Sequence, residues 1–248
     1  MLGNQGPCRY ILKVSSTRPM NPGSPAVGER LSFAVDDGLC TSARLELPVA
    51  ARACYVLAHG AGAGMEHPLM RAVAAGLAER RIATLRYQFP YMERGARRPD
   101  PPALCHATVR AAVAECARLV PTLPLVAGGR SFGGRMTSQA QAEEPLPGVR
   151  GLAFIGFPLH PAGRPSESRA EHLAHVEIPL LFLQGTRDAL AERPLLEALL
   201  ARLGPRARVC WLEDADHAFH VRTRSGRSDG EVMTSALEAL CAWLERLL

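Results

Sequence analysis

Lysine is almost missing from this chain: Lys13 is the only one among 29 basic residues, the rest being arginine. A net charge of +5 and a pI near 9.0 would suit a nucleic-acid binder. The arginines are scattered, however, and the one local cluster, Arg94, Arg97 and Arg98, falls in a proline-rich stretch. A nucleic-acid footprint needs a basic stripe or patch, so no such partner is expected. The seven cysteines form no C-x-x-C pair and no zinc-ligand spacing. Several lie in apolar segments and read as small buried hydrophobes of a reducing compartment. No apolar run approaches the length of a membrane span, and no charged start followed by an apolar stretch marks a secretory signal. These absences point to a cytoplasmic protein without membrane, metal or cofactor.

What remains is an ordinary globular composition, 47% hydrophobic and 21% charged over 248 residues, enough for one large α/β domain. Residues 1–29 hold Pro19, Pro22 and Pro25 with Gly23 and Ser24, and read as a flexible lead. Met20 is a second candidate start within it. Residues 30–248 read as one domain. Leu31 to Val35 and Ala43 to Leu47 alternate around Asp36-Asp37-Gly38, the pattern of a hairpin. Apolar runs at Ala53 to Ala58, Ile82 to Arg86, Leu123 to Ala127, Val149 to Phe157, Ile178 to Gln184 and Ala207 to Leu212 read as strands. Helical spacing fills Pro68 to Arg80, Ala103 to Leu119, Arg135 to Glu143, Pro194 to Leu203 and Glu231 to Leu248. Such alternation predicts a mostly parallel sheet with helices on both faces, and ligand sites beyond the carboxyl ends of the strands. Only about twenty residues separate Phe157 from Ile178, too few for a lid domain, since independent domains start at roughly 50 residues.

Gly129-Arg130-Ser131-Phe132-Gly133 is a G-x-S-x-G pentapeptide with a strand before it and a helix after it. That context makes it a nucleophile elbow, with Ser131 exposed at the N-terminus of a helix whose dipole favours negative charge. A second match, Gly226-Arg227-Ser228-Asp229-Gly230, has no strand before it; Ser228 and Glu231 read instead as a capping box. A serine hydroxyl needs a base, and the base needs a group that fixes its tautomer. Asp188 and His217 follow strands and give the chain order Ser, Asp, His of α/β-hydrolases. His220 is the alternative base, and Asp214 and Asp216 read as turn formers.

His59-Gly60-Ala61-Gly62-Ala63-Gly64 follows another strand, and its backbone amides can form an oxyanion hole. Ala61, with Gly62 as second choice, and Phe132 are the expected donors. The stretch lacks the full dinucleotide fingerprint and the P-loop ending, so no nucleotide is expected. His59 reads as a structural side chain under the loop. Tyr87, Phe89, Tyr91 and Met92 follow a strand on the same rim and, with Gly62, are the expected pocket lining.

Taken together, His59 to Pro68, Gly128 to Arg135, Gln184 to Asp188 and Asp216 to Phe219 resemble the dienelactone-hydrolase-like α/β-hydrolases. With Phe89 to Met92 and Ser225 to Arg227, the chain is similar to the branch that includes the testis-expressed hydrolase-like protein and the third regulatory subunit of the NSL complex. The resemblance covers roughly residues 30–248 and maps the nucleophile to Ser131, the acid to Asp188 and the base to His217. Ser131 departs from the cysteine nucleophile of dienelactone hydrolases, which argues against dienelactone as substrate. The expected activity is hydrolysis of small-acyl esters or thioesters, by a monomer or homodimer; a non-catalytic interaction scaffold is the alternative.

Overall fold

The structure, a computed structural model, describes residues 28–36 and 38–248. Nearly all of the expected N-terminal lead, and Met20 with it, lies outside the described residues. Eight strands form one sheet in the order β1-β2-β4-β3-β5-β6-β7-β8. Strands β1 (Glu29–Asp36) and β2 (Leu39–Glu46) make the antiparallel hairpin, and β2 pairs antiparallel with β4 (Ile82–Tyr87). From there β3 (Ala53–Ala58), β5 (Leu125–Arg130), β6 (Val149–Ile155), β7 (Leu180–Gly185) and β8 (Ala207–Leu212) run parallel. Every residue of β3, β4 and β7 is buried, as parallel strands covered on both faces require.

Helices α1 (Pro68–Glu79) and α6 (Asp229–Leu244) cover one face through Met70, Val73, Leu77, Val232, Leu237 and Leu240. Helices α3 (Pro102–Leu119), α4 (Phe132–Glu143) and α5 (Arg193–Leu203) cover the other. A four-residue helix, α2 (Pro90–Glu93), interrupts the long proline loop. The segment between β6 and β7 carries only a 3₁₀ helix, Ser168–His175, packed on α4. Ser138 donates to Arg135 O at 3.0 Å, so His172 donates to Ser138 Oγ at 2.7 Å and joins the two. Among the described residues no helix is long and apolar enough to cross a membrane. Cys54, Cys105, Cys116 and Cys241 are buried free thiols, and Cys210 is a half-buried one. Cys40 departs from the expectation of free thiols: it is disulfide-bonded.

Strand β3 lies between β4 on one side and β5 on the other. Chain order reverses there, which opens a crevice at the carboxyl ends of β3 and β5. Ala58 pairs with both Tyr87 and Gly129, so the loops after β3, β4 and β5 leave the sheet at one level.

Candidate active site

Strand β5 runs straight through Gly128-Gly129-Arg130 to Ser131, and α4 begins at the next residue. Ser131 sits at φ 48° and ψ −113°, a region that costs a non-glycine residue roughly 1–3 kcal/mol. Two hydrogen bonds hold it there: Ser131 N–H donates to Ile155 O at 3.1 Å, and Arg135 N–H donates to Ser131 O at 3.1 Å. The two pentapeptide glycines are required by the end of β3. A Cβ at Gly129 would stand 2.3 Å from Ala58 O, and one at Gly133 would stand 2.5 Å from His59 O.

The Ser131 hydroxyl lies 2.9 Å from His217 Nε2, and His217 Nδ1 lies 2.6 Å from Asp188 Oδ2. Serine and histidine are 86 residues apart in the chain. Asp188 leaves β7 through a turn tied to the end of β8, where Thr186 N–H donates to Leu212 O and Arg187 N–H to Ala215 O. Its carboxylate is fully buried. A buried charge needs hydrogen bonds in place of water. Leu190 N–H donates to Oδ1 at 2.8 Å, and Gln184 Nε2 donates to Oδ2 at 2.5 Å. Gln184 is fixed in turn by Phe157 N–H, which donates to its Oε1 at 2.9 Å. His217 rides on a tight loop. Asp216 Oδ1 accepts from Ala218 N–H and His220 N–H, and Asp214 takes a left-handed φ of 58°. Both aspartates therefore shape the turn and do not touch the imidazole. His220 points away and pairs with Asp229 at 2.9 Å.

The loop after β3 passes beside the serine: a Cβ at Gly60 would lie 3.9 Å from Ser131 Cβ. Gly62 N–H donates to Tyr91 Oη at 3.1 Å, and Ala63 N–H to Gly60 O at 3.2 Å. Of the two amides weighed for this loop, Gly62 is therefore engaged, which leaves Ala61. Phe132 opens α4, and the first amides of a helix have no partner within it. His59 sits under the loop. Phe89 N–H donates to its Nε2 at 3.0 Å, so its proton is on Nδ1, which donates to Gly60 O at 2.8 Å. Burial pushes His59 down to about 4, and its imidazole is neutral.

The expected pocket lining is corrected in depth. Tyr87, Phe89 and Tyr91 are fully buried. Phe89 packs edge-on against His59, Tyr87 and Phe132, and Tyr91 edge-on against Phe132. They form a floor beneath the site, because burying three large rings outweighs leaving them on a wall. Met92 and Phe132 are half-buried there, and Gly62 is exposed. Two residues were missed by sequence reasoning. Gln184 was a lone amide at the end of the apolar run Leu180 to Leu183, a signal that could have marked it. Arg130, the variable position of the pentapeptide, reaches His217: its Nη1 lies 3.0 Å from Nε2 and its Nη2 donates to His217 O.

The second pentapeptide is a helix cap. Glu231 N–H donates to Ser228 Oγ at 3.2 Å, and Ser228 N–H donates to Glu231 Oε2 at 2.7 Å. Among the described residues no group of histidine, cysteine, aspartate and glutamate could hold a metal ion.

Residues 51–245 match the family model described as the alpha/beta hydrolase domain. Among solved structures, a dienelactone hydrolase from Anabaena variabilis superimposes with a TM-score of 0.70 at 21% identity, over 89% of this chain and 98% of that one. A Xanthomonas campestris protein described as an a/b serine hydrolase without lid gives 0.68 at 21% identity, over 90% and 98%. The esterase domain of a Rhodothermus marinus protein gives 0.67 at 20% identity, over 88% and 98%. At these identities the likeness is one of fold.

Proposed function

The chain belongs to the alpha/beta hydrolase domain family, and from that membership we propose that it is a serine hydrolase of carboxylic esters or thioesters with small acyl groups. Within the family we place it in the dienelactone-hydrolase-like group, in the branch named above. Ser131 attacks the acyl carbon and His217 Nε2 takes its proton. Asp188 holds the imidazole and offsets its charge once it is protonated. The oxyanion meets the amides of Ala61 and Phe132, each of roughly 2.7–4 kcal/mol value to the barrier. His217 returns the proton to the leaving alcohol or thiol, and water then releases the acyl group from Ser131. The observation that carries the reading is the unbroken relay from Ser131 Oγ to His217 to Asp188, at 2.9 and 2.6 Å. The preference for small acyl groups rests on the segment between β6 and β7, which holds a 3₁₀ helix and no lid.

A fluorophosphonate probe tests the mechanism. Label on wild type and on Ser228→Ala, with none on Ser131→Ala, supports it. No label on wild type favours the scaffold alternative, and label that survives Ser131→Ala but not Ser228→Ala transfers the role to the second serine. A series of aryl esters tests the substrate class: acetate and butyrate esters are turned over faster than long-chain ones.

A further inference from the structure

Arg130 is a cation in contact with the imidazole of His217. A guanidinium carries five N–H donors and no acceptor. At 3.0 Å from Nη1, Nε2 can therefore only accept, and the ring proton must be on Nδ1. Asp188, an acceptor, faces that proton at 2.6 Å. The ring is thus held between an acceptor at one nitrogen and a donor at the other. The second arm of the guanidinium donates to His217 O, so one side chain grips both the ring and the backbone of the same residue. Gly156 leaves room for it: a Cβ there would stand 2.9 Å from Arg130 Nη1 and 3.5 Å from His217 Nδ1. Burial opposes its charge and holds it below the usual guanidinium range, while Asp188 and Asp216 favour it.

We propose that Arg130 is a positioning residue that anchors the ring and the backbone of His217 from the side opposite Asp188. The two donors at Nε2, Ser131 O–H and Arg130 Nη1–H, share one lone pair. When the Ser131 O–H bond breaks and the proton bonds to Nε2, the guanidinium loses that acceptor but keeps its own protons. Nη1 already donates to Ile155 O at 3.3 Å and Nη2 to His217 O, and both of those bonds survive the transfer. The base then remains anchored through the proton transfer. The kinetic consequence rests on the serine-hydrolase reading; the anchoring does not.

The test is the ring-nitrogen NMR spectrum of ¹⁵N-labelled protein above neutral pH, with His217 assigned by its loss in His217→Ala. Wild type should show a protonated Nδ1 and an unprotonated Nε2. Arg130→Met should keep the Nδ1–H tautomer that Asp188 fixes, shift the Nε2 resonance that has lost its second donor, and lower kcat on the order of tenfold with KM nearly unchanged; Arg130→Lys, still a donor, should restore part of both. A wild-type ring protonated on Nε2, or an Arg130→Met ring and kcat equal to wild type, overturns the proposal. Should Arg130→Met fail to fold, Arg130→Gln takes its place under the same two outcomes. If the Arg130→Met ring shifts as stated but Ser131 takes no fluorophosphonate, the hydrolase reading fails and the positioning role stands.

Discussion

Two stretches of this chain read G-x-S-x-G, and each has a histidine and an aspartate close by. Around Ser131 the three side chains join end to end through His217 and Asp188. Around Ser228 a His220–Asp229 pair also forms, but the serine hydroxyl turns to Glu231 and never meets the imidazole. The backbones differ more than the side chains do. Ser131 is forced to φ 48°, and glycines 129 and 133 have strand β3 against them. Ser228 sits at an ordinary φ of −97°, a Cβ at Gly226 would meet nothing, and one at Gly230 would meet only Ser228 Oγ at 3.8 Å. The same five letters thus describe a strained elbow buried among strands and a relaxed cap at a helix start. What separates them is the strand that delivers the serine.

The comparison breaks most sharply at the histidines. His217→Ala should lower aryl-ester turnover on the order of 10³-fold or more, whereas His220→Ala should leave it within about twofold. Glycine substitutions sharpen it next, with opposite signs. Gly129→Ala drives a methyl into Ala58 O and should cost about 3 kcal/mol or more in denaturant unfolding. Gly230→Ala, in the first turn of α6, should stabilise by about 0.5–1 kcal/mol.

Titration should separate the two regions as well. His59 and His172, on the Ser131 side, are both held down to about 4 by burial, His172 also by Arg135, His106 and His175. Between about 4 and 6.5 the unfolded chain binds protons that the folded one refuses. Stability should therefore fall as pH drops through that window, by about 3 kcal/mol for each histidine. Thermal unfolding across pH should show the fall, and His172→Gln should flatten part of it. His220 runs the other way: its hydrogen bond to Asp229 raises it, so its contribution is present at low pH and fades as pH rises past its ordinary value. Ser228→Ala should cost about 0.5–2 kcal/mol as a lost cap while activity persists.

Most strands were legible because apolar runs bounded by turn residues mark them. The elbow was legible only in part. Strand β5 continues to Arg130 and α4 starts at Phe132, but Gly128, Gly129, Gly133 and Gly134 carry neither strand nor helix signal. Their conformations come from close contact with β3 and β6, which a local window does not contain. Helix α2 is four residues long, shorter than any periodicity can register. Ser131, Asp188 and His217 stood out because chemistry constrains their types and order. Arg130 and Gln184 did not, since each acquires its role from a contact that folding makes. The aromatics after β4 were read at the right rim but at the wrong depth, because an aromatic at a strand end can turn inward as readily as outward.

One measurement bears most directly on the relay as a working site. Acid-quenched protein, taken during turnover of an aryl acetate, is weighed intact and then mapped by peptide. One acetyl group on the peptide carrying Ser131 is the predicted result; acetyl on Ser228, or steady hydrolysis with no acyl-protein at any time, would contradict it.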